Sequence, residues 1–397
     1  MNTDLIKYII LIATSLLIML LTQADFFVVD EIFHLSQITN FVEGNDVHLP
    51  NITTFIYLHK IYAWIGQLFN VSDLYSYRWV NVFITLCFAS IIYWVVYIRY
   101  KSNDWKLAAQ LFFLPIVFPY YLLVYTDIPA LLLLLTAAQM MSDKRHFWAA
   151  TLGAAAIFIR QPSLIWLGFI ALIAIYQLKI VEGRNWPHTF GKTWPYAAVI
   201  LLFILYFMIN KSVAMGDKSY HQISANLTNV YFMFFVAGLL FLPLVISRSK
   251  HAWDTIQNKP WLWLVFLFGL IIYLNTFSVT HTFNSPEYNQ FIRNWALNTI
   301  NHNLLIQTLV YTFSFYCLVS LTSIKLRTTS YNILYLALPL SVLPMPLIEQ
   351  RYYMVGFTLW QLWRQRTNQT VELIQLIWMM VLSLLIFWGV SYRWFYF

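Results

Sequence analysis

Apolar runs of membrane-entering length recur along almost the whole of this 397-residue chain, at about 5–22, 79–98, 107–124, 128–141, 147–159, 164–178, 195–210, 228–246, 261–279, 303–322, 331–347 and 371–391. With 60% apolar and 19% aromatic residues, a chain of this size has more apolar surface than one soluble core can hide. The expectation is an all-α polytopic membrane protein with about 12 transmembrane helices, built as a single multispan domain over residues 1–397. No fixed-period repeat, low-complexity tract or soluble domain interrupts it. The first run has no small-residue cleavage site before Asp25-Phe26-Phe27, so it reads as a retained span. Both cysteines, Cys87 and Cys317, lie inside apolar runs, which argues against a disulfide framework or a zinc site.

The net charge of +8 comes without any basic run longer than a couple of residues, so it reads as membrane topology and gives no sign of a nucleic-acid partner. With the N-terminus cytosolic and the sides alternating, the cytosolic connections hold 15 of the 24 basic residues, from Lys7 to Arg393. They hold only five of the 16 acids, namely Asp4, Asp104, Asp143, Glu182 and Asp254. That asymmetry predicts both termini in the cytosol. The opposite side receives the two longest connections, 23–78 and 280–302, and six of the nine histidines. Residues 50–69 read as an amphipathic, aromatic-rich segment lying in the interface. A large, structured first loop is unlike a carrier, which usually keeps that loop short and places its charges mid-span.

The loop opens with Asp30-Glu31-Ile-Phe-His34-Leu-Ser-Gln37. In a helix, Asp30, His34 and Gln37 stand at i, i+4 and i+7 on one face, with Glu31 turned roughly a quarter-turn away. A carboxylate one turn from a histidine is suited to removing a proton from an alcohol. The same residues also suit a plain helix start with an acidic first turn.

Further polar clusters fall on the same predicted side. Tyr125-Thr126-Asp127 ends in an acid at a span boundary, where it suits a ligand contact or a helix cap. Arg160-Gln161 puts a guanidinium at a boundary, suited to bidentate phosphate binding or to snorkelling. Gly216-Asp217-Lys218-Ser-Tyr-His221 suits a sugar or phosphate, or is simply solvated. The stretch His281 to Trp295, with Glu287 and Arg293, mixes hydrogen-bonding groups with aromatic faces. Glu349-Gln-Arg351 reads as a ligand pair or as a structural ion pair. No cluster has metal-ligand spacing, no phosphate loop is present, and no Asp-x-Asp pair suggests a nucleotide-sugar enzyme with a bound cation.

These blocks together resemble the dolichyl-phosphate-glucose-dependent α-1,2-glucosyltransferases, which add the last glucose to the lipid-linked N-glycan precursor. Asp30-Glu31-Ile-Phe-His34-Leu-Ser36-Gln37 is similar to the family's opening motif, with Ser36 where the family has proline. Ile52-Thr53-Thr54, Tyr125-Thr126-Asp127, Arg160-Gln161, Gly216-Asp217-Lys218 with His221, and Pro346-Leu-Ile-Glu349-Gln-Arg351-Tyr-Tyr353 follow in the family's order. The chain departs from the pattern in the first loop. Phe55-Ile-Tyr-Leu-His59 stands in place of Pro-Pro-Gly-Leu-Tyr, and the Trp-Asp-Pro that usually precedes Ile-Thr-Thr is missing.

The resemblance implies a GT-C type glycosyltransferase that uses a dolichyl (polyprenyl) phosphate glucose donor and a lipid-linked oligosaccharide acceptor, among membrane lipids. The transfer is inverting and needs no cofactor and no essential metal. Asp30 is the expected base with Glu31 second, and His34 orients one of them. Arg160, Lys218, His221 and Arg351 are candidates for the lipid phosphate, and Gln37, Asp127, Gln161, Asp217 and Glu349 for substrate binding. The alternatives are a transferase of the same class building a different, for example bacterial, glycan, and a multispan transporter. The implied location is the endoplasmic reticulum membrane with a lumenal active site in a eukaryote, or the inner membrane in a bacterium.

Overall fold

A computed structural model describes residues 3–100, 104–216, 224–284 and 294–394. Asp217, Lys218, His221, Glu287 and Arg293 lie outside the described residues. Within them the protein is all-helical, and the nearest approach to a strand is a single bridge between Leu326 and Arg364.

The helices are α1 (Thr3–Leu21), α2 (Glu31–Val42), α3 (Tyr57–Phe69), α4 (Leu74–Tyr100), α5 (Trp105–Phe112), α6 (Asp127–Ser142), α7 (His146–Ile159), α8 (Ser163–Tyr176) and α9 (Trp186–Asn210). They continue as α10 (Leu227–Leu240), α11 (Leu242–Ser247), α12 (Ser249–Asn258), α13 (Trp261–Thr276), α14 (Trp295–Asn301), α15 (Leu304–Thr322), α16 (Ile333–Val342), α17 (Met354–Trp363) and α18 (Gln369–Ser391). Asparagines begin several of them. Asn185, Asn303 and Asn368 each accept a backbone N–H from the first turn of the helix they precede, which satisfies a donor the helix leaves open. Asn70 closes α3 in the left-handed region at φ 51°.

The chain forms two compact units. One comprises residues 1–108, 119–222 and 328–337, the other 109–118, 223–327 and 338–397. Among the described residues six helical segments are long and apolar enough to cross a bilayer: Thr3–Leu21, Leu74–Ile98, Ser163–Val181, Trp186–Asn210, Leu304–Thr322 and Gln369–Ser391. A seventh candidate joins α12 to α13 across a 99° bend, and α6, α7 and α10 are shorter apolar helices. This is a multi-pass membrane protein.

Within each unit, the connections that charge asymmetry assigns to one side do meet. In the first unit Val124 and Tyr125 contact the 28–31 segment, and Gln161 and Met215 reach the Thr53 carbonyl. In the second, Asn226 and Asn284 hold the backbone at Pro346 and Ile348. One connection differs from expectation. Gln365 N donates to Lys325 O, and Arg327 N to Trp363 O, both at 2.9 Å, so residues 364–368 lie beside 325–327. The sequence reading has one crossing between these two connections. The structure has α16 leading away and α17 leading back. Helix α17 escapes a hydropathy reading because it is ten residues long and buried on every face.

The first loop is a small structure in its own right. Leu35, Ile38 and Phe41 of α2 pack on Leu58, Tyr62 and Ala63 of α3, with Tyr77 and Val124 closing the cluster. Tyr62 Oη donates to Asn81 on α4. A Cβ at Gly66 would stand 2.0 Å from Tyr77 Oη, so α3 and α4 approach this closely only with glycine there. The outer face of α3 exposes Tyr57, Ile61, Trp64 and Leu68, one helical stripe of apolar side chains. That is the amphipathic segment anticipated for residues 50–69.

Candidate active site

The turn into α2 is the strained point of the loop. Val29 has φ 49°, in the left-handed region where a β-branched residue is an outlier. Two side chains clamp it from either side. Tyr125 Oη donates to Val28 O at 2.9 Å and accepts from Asp30 N at 2.8 Å, spanning Val29. Glu31 Oε2 accepts from Val28 N at 3.1 Å. A strained turn held by hydrogen bonds on both flanks fixes the residue that follows it, Asp30.

Glu31 itself is fully consumed. Its Oε1 accepts from Arg78 Nε at 3.0 Å and Val124 N at 3.1 Å, and its Oε2 from Arg78 Nη2 at 2.6 Å as well as from Val28 N. Arg78 completes its own donors on Gln23 Oε1, Ala24 O and Phe26 O. Both side chains are buried, at 1% and 0% exposure. Four acceptor positions and five donors are all used, which makes Glu31 a fastener with no lone pair to offer a substrate hydroxyl.

Asp30 is different. It occupies the N-cap position of α2, yet its carboxylate caps no backbone N–H there. An aspartate at that position ordinarily spends its carboxylate on the helix. Asp30 is also only half-buried. The two adjacent acids thus differ in burial and in their part at the helix start.

One turn on, His34 Nδ1 lies 2.9 Å from His59 Nε2, with the two rings stacked, and Tyr125 packs at 5.3 Å against the other side of His34. Burial, and then the neighbouring His34 and His48, hold the His59 imidazole well below the usual histidine range. Gln37, expected at the substrate, is fully buried and turned to the loop. Its amide donates to Val47 O at 2.9 Å and accepts from Leu49 N at 2.7 Å.

Asp127 and Arg160 meet as an ion pair, with Arg160 16% exposed and Asp127 almost wholly buried. Gln161 donates to Thr53 O at 3.0 Å, the same carbonyl that accepts Met215 N. Gly216 packs so closely on this strap that a Cβ would stand 2.3 Å from Pro50 O. Three separated sequence blocks, at 52–54, 160–161 and 215–216, therefore form one backbone junction. Glu349 and Arg351 belong to the second unit, where they pair with each other, Arg351 Nη2 donating at 2.8 Å. Asn229, Asn226 and Asn284 hold the surrounding non-helical stretch by its carbonyls.

Sequence reasoning gave Arg78 and His59 no role, and it quoted Tyr125 only as the first residue of the Tyr125-Thr126-Asp127 block. Arg78 carried one signal, an arginine at the mouth of the second span, where an unpaired charge is costly. Nothing in the sequence pairs it with Glu31, 47 positions away.

An all-helical multi-pass protein, with a folded first loop that fixes a carboxylate and a histidine on one helix turn, belongs to the class of membrane-embedded enzymes. The sequence comparisons narrow this. The DIE2/ALG10 family model matches residues 24–186 and 178–362, and this chain belongs to that family. It is 26% identical to the Dol-P-Glc:Glc(2)Man(9)GlcNAc(2)-PP-Dol alpha-1,2-glucosyltransferase of Candida albicans, over 90% of this chain and 88% of that protein. Proteins of the same name from Homo sapiens and Arabidopsis thaliana are 22% and 21% identical, each over 84% of this chain and over 83% and 85% of their own lengths. No solved structure matches it.

Proposed function

We propose that this chain transfers glucose from dolichyl phosphate glucose to the lipid-linked oligosaccharide Glc(2)Man(9)GlcNAc(2)-PP-dolichol, forming the terminal α-1,2 linkage. Relatives of that name, aligned along most of this chain, support donor, acceptor and linkage. The observation that carries the site is Asp30: a carboxylate held at a strained helix start and unused as a cap, beside an acid whose every lone pair is taken.

In this reading the acceptor hydroxyl oxygen attacks the anomeric carbon as the bond to the donor phosphate oxygen breaks. Asp30 takes the hydroxyl proton, and the bonding pair leaves on dolichyl phosphate. A single displacement turns a β-linked donor into an α-linked product. Arg160, Lys218 and His221 in the first unit are candidate cations for the departing phosphate, with Asp127 orienting Arg160; Arg351, oriented by Glu349, is the second unit's own candidate. Gln161 and Asp217 complete the substrate contacts. For Gln37 we propose an indirect part, holding the 47–49 segment in place.

We read the chain as a transferase of GT-C type, in which the shorter apolar helices α6, α7 and α10 also cross. The side carrying Asp30 faces the lumen of the endoplasmic reticulum. The test is glucose transfer by the purified chain from synthetic dolichyl phosphate glucose to a diglucosylated lipid-linked acceptor, with the product linkage assigned by NMR. An α-1,2 product is expected. Consumption of donor only with an unrelated acceptor would replace this reading with a different glycan, a result the altered Phe55–His59 segment makes worth looking for.

A further inference from the structure

The mechanism above makes no use of His59, yet this imidazole is 2% exposed and makes one polar contact, through Nε2 to His34 Nδ1. Its other nitrogen, Nδ1, is buried without a hydrogen-bond partner. That asymmetry constrains the pair. A single proton sits between the two facing nitrogens. If His34 donated it, His59 would have to carry its own proton on Nδ1, leaving a buried N–H with no acceptor. If His59 donates from Nε2, the orphan is a bare acceptor. Buried orphan donors are the rarer and costlier arrangement. The second arrangement also leaves the His34 proton on its far nitrogen.

We propose that His59 fixes the tautomer of His34, holding its proton on Nε2, so that His34 serves the site as a neutral hydrogen-bond donor. The proposal rests on the reading of the α2 turn as the active site. His59 is a positioning residue in it, acting through His34, which shares its helix face with Asp30. A neutral donor there can hold a carboxylate or substrate oxygen without competing with Asp30 for the hydroxyl proton. Burial and the neighbouring histidines oppose a charge on His59. His48, whose Nε2 lies 2.7 Å from Ile52 O, stands near His59, and Tyr125 packs on His34. Asp30 is the one carboxylate on the same face. Charging either ring of the pair would force a buried N–H at His59 Nδ1.

Two variants separate the role from simple packing. The amide nitrogen of a glutamine at position 59 falls close to the place of the imidazole Nε2 and still donates, whereas leucine fills the space without donating. In protein labelled with ring-15N histidine, the His34 signals, assigned by difference with His34→Asn, should report a single Nε2–H tautomer in the wild type and in His59→Gln. In His59→Leu they should report a mixture of the two tautomers. Turnover should fall about tenfold in His59→Leu with donor KM little changed, and recover in His59→Gln. A His34 proton on Nδ1 in the wild type would overturn the proposal. So would a His59→Leu protein with the wild-type spectrum and wild-type turnover, or equal losses in both folded variants. The spectra need no turnover, so a chain that transfers no glucose would count against the proposed function while the tautomer is still decided.

Discussion

Two buried arginine–glutamate pairs invite comparison. Arg78–Glu31 lies in the first unit and Arg364–Glu372 in the second, and in both the side chains are at most 1% exposed. Each is bidentate and fully supported. Arg364 Nη1 and Nη2 reach the two Glu372 oxygens at 2.8 and 2.7 Å, with Gln361, Gln110 and the Thr367 N–H and hydroxyl completing the set. What they fasten differs. The second pair closes the short connection between α17 and α18, with Asn368 capping the next helix. The first fastens a turn with a strained residue in it, and the residue after the strain is an aspartate that caps nothing. The same interaction closes a connection between helices in one place and holds the turn before the proposed base in the other.

The largest effects should come from breaking either pair. Arg78→Leu and Arg364→Leu each leave a buried carboxylate uncompensated, and each should lose about 3–5 kcal/mol, read as a fall in Tm or in yield of folded protein. The double replacements sharpen the contrast. Arg78→Met with Glu31→Leu, and Arg364→Met with Glu372→Leu, should both recover much of that stability. Only the first should stay inactive, because Val28 N and Val124 N lose their acceptor and the turn at Val29 relaxes. Equal activity in the two folded doubles would erase the distinction.

Tyr125→Phe comes next. It removes the one hydroxyl that spans Val29 and should cost about 1–3 kcal/mol, with turnover reduced beyond what the stability loss explains. A smaller effect is expected from pH. His59 stays neutral in the folded protein, so below about pH 6.5 the unfolded chain binds a proton that the folded chain refuses. Stability should therefore be complete above that pH and fall by at most about 1.4 kcal/mol per pH unit below it. His59→Gln should make this slope shallower in a Tm–pH profile.

The architecture was legible where helices are long and apolar, since the hydropathy of a crossing segment survives without tertiary context. It failed at α17, whose ten residues, Gln361 among them, are buried by neighbours and need no continuous apolar run. The Asp30-Glu31 and His34 cluster stood out because an adjacent carboxylate pair with a histidine one turn on is a local pattern. The order of Asp30 before Glu31 came from resemblance alone, whereas the difference in their surroundings comes from Arg78, Val124 and Tyr125, contributed by distant segments. Gln37 and Gly216 carry motif positions whose geometry serves the backbone.

The central claim is that the two adjacent acids have separate jobs. It is tested most directly by measuring single-turnover glucose transfer and Tm side by side for the wild type, Asp30→Asn and Glu31→Gln, each saturated with donor. The account predicts that Asp30→Asn keeps its Tm and its donor binding while the transfer step slows by roughly 10²–10⁴. Glu31→Gln should lose stability first, since Arg78 is left charged and buried beside a neutral amide. An Asp30→Asn protein that transfers glucose at the wild-type rate, beside a fully stable Glu31→Gln protein that does not, would contradict it.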